Sequence, residues 1–469
     1  MINCKGKIKD ELARFFDGKL YPLLVAFIVT VAAITGLELV SCVVIATIFI
    51  TAAFFSQSAK PFIVIFITFA MQMSLKHSPS EVVNKLYGDG NTEYYFTSYR
   101  IYLIAFCIGS MLFACIYFFV KNKRYKRIKL KEDKLLLGTL LVSLSFLLGG
   151  LFTEGWSISL PHALMQAAIY LAVYLLFAYG FSENDTRGSL IDYFSYISLI
   201  TAGVVIVQMI VLFVIHSDNI FIDGGINKEG IMLGFGIWTL IGITLAMLIP
   251  MIFYGAMKGG GRSAIYFVGA TLSWIFALLS MSRNAQLFST IAYASCVIIA
   301  ALKSKNKLFY RTISALGVAV SIVGAILIYD KIPTLISSFF DDNGRAEHAG
   351  IAINNFLHAP VFGVGFSGFE IFESLNPFYA PMGPWPAMAH NTILEIMSAL
   401  GIVGIFSYGF YRVASLEPLF RKPTLAKTML FVGVFVVLFS SLLDNFVFDV
   451  YPMIYTVIAL SIAHTRISE

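Results

Sequence analysis

Two apolar runs, 264–281 and 285–302, meet at Ser280-Met281-Ser282-Arg283-Asn284. Each run is close to the ~20 residues a helix needs to cross the hydrocarbon core of a bilayer. A polar step this short cannot hold a folded domain, but it can turn a chain around. The stretch reads as a membrane hairpin with an arginine at its tip. That reading sets the fold class: an all-α polytopic membrane protein.

Working outward, the same pattern repeats. Apolar runs of near-spanning length lie at about 20–36, 39–56, 61–76, 100–120, 135–152, 161–180, 189–215, 230–256, 264–281, 285–302, 309–328, 390–411, 428–443 and 450–465. The expectation is about 14 transmembrane helices, or 12–14 if a re-entrant hairpin is counted among them, in one integral membrane domain over residues 1–469. A chain that is 58% hydrophobic and 13% charged fits this and lies far from the soluble range. The start, Met1 to Lys19, is polar and basic and leads into an apolar run too long for a cleavable signal peptide. None of the five cysteines forms a Cys-x-x-Cys pair, so neither a disulfide framework nor a thiolate metal site is expected.

Loop charge gives the orientation. With a cytosolic N-terminus and alternating runs, 26 of the 33 lysines and arginines fall on the inner side. The outer side holds Lys76, Lys85, Arg100, Lys228, Arg283, Lys331 and Arg345. That bias predicts a multi-pass protein of the plasma (inner) membrane with both termini cytoplasmic. The inner cluster from Lys121 to Lys134 anchors this topology, and contact with anionic lipid is its alternative use. The net charge of +6 follows from the inner loops and points to no nucleic-acid partner.

The one long polar excursion of the second half lies between about 329 and 389, a large extracytoplasmic loop. Asp341-Asp342-Asn343-Gly344 is a helix-start signal, and apolar residues recur at helical spacing from Arg345 to His358. Gly363-Val-Gly365 and Gly368 follow, then Pro377, Pro381, Pro384 and Pro386 around Trp385. A structured loop of this length on a membrane protein is usually functional.

The outer cations are scarce enough to weigh singly. Arg283 is a phosphate ligand or an arginine snorkelling to headgroups. Arg345 heads an amphipathic helix whose N-terminal amides also favour an anion. Lys228 stands in a glycine-rich outer turn. His390 begins a membrane helix and is a general base or an interfacial hydrogen-bonder. Asn391 and Glu395 share the next helix face, and Glu395 lies deep enough to need a function or a buried partner. Asp341, Asp342, Glu347 and His348 are close in sequence but match no strong metal-ligand spacing, and no metal is expected. Asp444 and Asp449 flank the last outer turn, as sugar binders or as caps.

These residues resemble the O-antigen ligase and polymerase superfamily. Ser282-Arg283 at a helix end is similar to the family's Ser-Arg step. Arg345 with Pro360-Val-Phe-Gly363-Val-Gly365-Phe-Ser-Gly368 resembles its arginine followed by Pro-x-x-Gly-x-Gly. His390-Asn391, nine residues and Gly401-Ile-Val-Gly404 fit its His-Asn-x9-Gly-x-x-Gly pattern. The resemblance covers about residues 230–420. It departs at Asn284, where a glycine is usual, and at a missing tryptophan after the loop arginine.

The resemblance implies a GT-C-like, lipid-diphosphate-dependent glycosyltransferase of surface polysaccharide biosynthesis (O-antigen, capsule or exopolysaccharide). Transfer would be inverting, without metal or other cofactor, on the extracytoplasmic face. The donor implied is a glycan on undecaprenyl diphosphate and the acceptor a sugar hydroxyl, with a chain-length regulator and a flippase as further partners in the bilayer. Carried over by residue, Arg283 and Arg345 hold the diphosphate and His390 activates the acceptor. Lys228, Asn391, Glu395, Gly363 and Gly365 join them as substrate-binding candidates. A polymerase and a ligase that uses a lipid A-core acceptor are both compatible. So is a lipid-linked oligosaccharide flippase, although no internal repeat is visible.

Overall fold

The computed structural model describes residues 2–68, 98–153, 156–182, 185–222, 225–233, 236–327, 345–365, 389–421, 423–446 and 449–464. Almost all are helical. The long helices are α1 (Ile2–Asp17), α2 (Leu20–Thr35), α3 (Glu38–Phe55), α4 (Ser98–Lys121), α5 (Lys134–Leu151), α6 (Trp156–Gly180), α7 (Arg187–Ile215), α8 (Trp238–Met257), α9 (Ser263–Leu279) and α10 (Arg283–Lys303). They continue with α11 (Lys307–Leu327), α12 (Arg345–His358), α13 (Thr392–Phe420), α14 (Leu425–Ser440) and α15 (Val450–His464). Four two-residue strands pair as antiparallel ribbons between α7 and α8: β1 (Phe221–Ile222) with β2 (Gly225–Ile226), and β3 (Met232–Leu233) with β4 (Gly236–Ile237).

Thirteen of the fourteen apolar runs coincide with a long helix. The remaining run, 61–76, is described only to residue 68, as a 3-10 turn over Lys60–Val64 leading into Ile65–Thr68. Helix is what an apolar environment demands, because no water is there to satisfy exposed amides and carbonyls. By length and composition, α5, α7, α8, α10 and α13 can each cross a membrane, and α1 with α2 form a bent pair, 65° at the break. Six further apolar stretches of 10–17 described residues lie in α3, α4, α6, α9, α14 and α15. In sequence, Met1 to Lys19 reads only as a polar, basic start, which does not anticipate α1, an amphipathic helix too polar to register as an apolar run.

Helix directions follow from point contacts. A Cβ on Gly138 would lie 2.8 Å from the Tyr411 Cα, and one on Gly149 would lie 2.9 Å from Leu400, so α5 and α13 run antiparallel in close approach. Small residues permit that approach between membrane helices. Asn284 meets Ser440, and Cys296 meets Met429 at 3.9 Å, which makes α10 and α14 antiparallel too. Gly242 of α8 faces Ser280 and Ala285 at the α9/α10 turn. Helix α8 is hydrophobic all round because 89% of its apolar window is buried by other helices.

The outcome is a bundle with two unlike ends. One end gathers the turns 56–60, 121–134, 257–263, 303–307 and 421–425, with most of the lysines and arginines. The other gathers the turn 280–282, the strands, the start of α13 and the turn between α14 and α15. Of the expected large loop, residues 345–365 and 389 are described; Asp341-Asp342-Asn343-Gly344, Gly368 and the proline stretch around Trp385 lie outside the described residues.

Candidate functional site

The Ser-Arg step forms the start of α10. Met281 takes a left-handed backbone (φ 58°), rare for a residue with a long side chain, and turns the chain at the tip of the hairpin. Ser282 then caps the helix, its Oγ accepting from Ala285 N at 3.3 Å. Arg283 follows as the first helical residue, half-exposed. The next residue, Asn284, is buried and donates from Nδ2 to Ser440 O at 2.9 Å. An asparagine in place of the usual glycine thus ties this helix start to the end of α14.

The turn after α14 is a hub. Thr392 N donates to Ser441 O at 2.9 Å, and Asn391 Nδ2 donates to Leu442 O at 2.8 Å. Thr392 Oγ1 donates to Asn445 Oδ1 at 3.2 Å. His390 Nδ1 lies 3.1 Å from Asp444 Oδ1. The α10 start carrying Arg283 and the segment carrying His390 are therefore fastened to one turn, Ser440–Asn445. Asp444, whose use the sequence left undecided, is the side chain that meets His390. It stands 54 positions after His390, and only the closing of the turn makes them partners.

Asn391 is the N-cap of α13: its Oδ1 accepts from Ile393 N at 2.9 Å and Leu394 N at 3.1 Å. With its amide also engaged, both ends of the side chain serve the frame. Glu395 is fully buried and its Oε2 accepts from Ala389 N at 2.8 Å. The two were expected to share a face toward substrate. In the structure each turns to backbone.

Arg345 is exposed at the first position of α12. One turn along, the His348 ring stands edge to face with that of His390, centroids 5.2 Å apart at 85°. Below this pair, Ile351 and Ala352 pack on Ala389 and Leu394. Burial, followed by the nearby His390, pulls the His348 imidazole below its ordinary value, against a smaller opposing pull from Glu347. Burial, with Asp444 beside it, pushes the Asp449 carboxyl up to about 8.

The glycine loop docks into a break in α13. Gly401 lies at φ 61°, ψ −154°, outside helical geometry. The break frees backbone groups that the loop takes up: Ile402 N donates to Pro360 O at 2.9 Å, Val403 N to Val361 O at 3.2 Å, Val364 N to Ser398 O at 2.9 Å and Gly365 N to Ala399 O at 3.0 Å. Gly363 (φ 74°) would place a Cβ 2.3 Å from the Ala399 carbonyl carbon, and Gly365 (φ 83°) would place one 2.6 Å from Ser159 Oγ. Both glycines were singled out for substrate, and close packing accounts for both. Asn355 Nδ2 to Ser398 Oγ (3.2 Å) and Thr153 Oγ1 to Val364 O (2.5 Å) complete the clasp.

Lys228 is exposed, its Nζ 5.6 Å from the centroid of the Trp238 ring. Trp238 opens α8 one turn before Gly242, so Lys228 stands on the Arg283 side of the group. Among the described residues neither Arg283 nor Arg345 makes an ion pair, and α8, α10, α12 and α13 all begin at this end. Helix starts and unpaired guanidinium groups together favour an anion. Asp341 and Asp342 lie outside the described residues; among those described, no group of three His, Cys, Asp or Glu is placed to hold a metal ion.

Residues 268–409 match the family model described as O-antigen ligase. The matched span contains Arg283, Arg345, His390 and both glycine motifs, and it ends before Asp444. No curated protein matches the chain. The family match supports a place in the O-antigen ligase and polymerase superfamily.

Proposed function

We propose, from that place in the superfamily, that the chain is a surface-polysaccharide polymerase. It would move a glycan from undecaprenyl diphosphate to the sugar hydroxyl of another lipid-linked repeat unit, at the extracytoplasmic end of the bundle. What chiefly supports this reading is the Ser440–Asn445 turn, which fastens the start of the Arg283 helix and His390 to one place.

The chemistry follows from the side chains. Asp444 engages Nδ1 of His390, which leaves Nε2 as the nitrogen to accept a proton. The acceptor oxygen attacks the anomeric carbon of the donor as its O–H proton passes to Nε2. The bond from that carbon to the diphosphate oxygen breaks on the opposite face, so configuration inverts. The charge left on undecaprenyl diphosphate meets the guanidinium groups of Arg283 and Arg345, which can grip phosphate oxygens bidentately. The proton then leaves His390 for water. The scarcity of lysine and arginine at this end supports an extracytoplasmic position for it under the positive-inside rule.

The deciding experiment uses purified protein in vesicles with the undecaprenyl-diphosphate-linked glycan that accumulates in cells lacking this chain. Polymerisation gives a ladder of longer lipid-linked products, lost in His390→Ala. A single product on a lipid A-core acceptor would make the chain a ligase instead. Passage of the lipid across the bilayer without transfer would make it a flippase. Full transfer by His390→Ala would refute the base.

A further inference from the structure

Ala389 is the residue on which three separate contacts converge. It is fully buried, and its side chain packs against Ile351 and Ala352 of α12, the helix that Arg345 begins. Its amide donates to the Glu395 carboxyl at 2.8 Å. Its neighbour in the chain is His390, which reaches Asp444 on one side and the His348 ring on the other. Ala389 thus has contacts with both α12 and α13.

The Glu395 contact is the one that α13 supplies. Residue 395 is the fourth helical position after the Asn391 cap, and its side chain reaches back past the cap to the chain before it. A helix leaves its first amides unpaired, and a cap normally serves those. Here the cap serves Ile393 and Leu394, and Glu395 serves an amide outside the helix altogether. With no exposed surface, Glu395 has no route to a substrate. A buried carboxyl is costly unless hydrogen-bonded, so losing this contact is expensive and the geometry is firmly held.

We infer that Glu395 is a positioning residue that acts through Ala389 to fix His390 relative to the Arg345 helix. The inference rests on the glycan-transfer reading and deepens it. A shift of about 1 Å in a general base can cost ~10²-fold in rate, while binding through distant groups is kept. The role is therefore expected in turnover and not in donor affinity. A glutamine keeps an oxygen acceptor at the same reach; a leucine keeps the volume and none of the hydrogen bonding.

The test compares wild type, His390→Ala, Glu395→Gln and Glu395→Leu in vesicles with the undecaprenyl-diphosphate-linked glycan described above. Wild-type transfer that is lost in His390→Ala establishes the reading itself, whatever Glu395 does. Glu395→Leu is then expected to lower kcat by ~30-fold with KM for the donor within threefold, and Glu395→Gln to hold both within threefold. A thermal midpoint for each variant identifies loss of folded protein. The inference is overturned if Glu395→Leu keeps kcat within threefold of wild type. It is equally overturned if KM rises as steeply as kcat falls, or if Gln does no better than Leu. If Glu395→Leu does not fold, Ala389→Pro, which removes the same amide, takes its place and carries the same expectations for kcat and KM.

Discussion

The two ends of the bundle use the same kind of side chain in opposite ways. At the lysine- and arginine-rich end, cations are spent on backbone. Lys121 Nζ donates to Ala53 O and Phe54 O, in the last turn of α3. Arg124 donates to Gln57 O, and Arg127 to Phe181 O just beyond α6. Lys427 Nζ donates to Arg421 O after α13, at 2.6 Å. Helix C-termini end in unpaired carbonyls and a negative dipole, so these cations stabilise them. Three further lysines pair with acids: Lys129 with Glu132, Lys134 with Glu417 and Lys258 with Asp192. At the opposite end α8, α10, α12 and α13 begin, and Arg283 and Arg345 are the first residues of α10 and α12, without an acidic partner among the described residues. A cation at a helix start is electrostatically misplaced unless an anion joins it. The contrast is what the proposed function asks of the two ends, one receiving a charged ligand and the other held closed.

The sharpest way to break this contrast is to remove one cation from each end. Arg283→Ala is expected to lower transfer by ~10²- to 10³-fold, the cost of losing one preorganised charge on a leaving group. His390→Ala should fall by ~10²- to 10⁴-fold. Arg124→Ala should leave turnover near wild type and cost about 1–2 kcal/mol of stability, because Gln57 O and the end of α3 lose a donor. Transfer assays with thermal unfolding in the same vesicles separate the two. A loss of turnover in Arg124→Ala as large as in Arg283→Ala would remove the distinction.

Asp444→Asn comes next. The side chain keeps its size but no longer offers the same acceptor to Nδ1, so the imidazole loses its fixed orientation. We expect ~10²-fold less turnover with donor KM within threefold. A proportional rise in KM would mean that Asp444 binds substrate directly.

Much of this architecture was legible in advance, for identifiable reasons. Helix positions were readable because the bilayer permits little else for apolar runs. The uneven ends were readable because lysine and arginine are counted directly. Arg283, Arg345 and His390 stood out as polar groups where polar groups are few. The pairing of His390 with Asp444 was not readable, because nothing local tells a histidine which distant turn will close over it. Gly363 and Gly365 looked like ligand-binding glycines, since close approach to a ligand and close approach to α13 leave the same mark on a sequence. Glu395 and Asn391 were placed on one helix face by periodicity, but a cap lies outside the period and a long side chain can reach back past it. Lys121 and Arg124 were expected to anchor topology; their contacts with helix ends show a second use of the same charges.

The docking of the glycine loop into α13 offers a structural test of smaller effect on chemistry. Gly401→Ala would force a side chain into a backbone conformation that L residues rarely adopt, with Cβ 2.6 Å from the Val361 carbonyl. A destabilisation of about 1–3 kcal/mol is expected from the strain alone, with α12 loosened from α13. Donor KM should rise several-fold as Arg345 loses its fixed distance to His390, while Gly409→Ala, in open space on the same helix, should change neither.

The smallest effect is one of pH, and it distinguishes two groups at the site end by sign. The His348 imidazole is held below its ordinary value of 6.5 in the folded chain. The unfolded chain therefore takes up the proton first, and stability falls as pH drops below 6.5. Asp449 behaves in the opposite way. Its folded value, about 8, lies above the ordinary 3.8, so its contribution is complete below 3.8 and is lost as pH rises toward 8. His348→Phe keeps an aromatic edge against His390 and should flatten the acid side of a plot of thermal midpoint against pH. Asp449→Asn should remove a fall in midpoint that runs from pH 3.8 to 8, opposing the His348 slope below 6.5 and standing alone above it. If both variants changed the slope below pH 6.5 in the same direction, the two groups would be titrating as one cluster, and the separate roles given to α12 and to the α14/α15 turn would have to be merged.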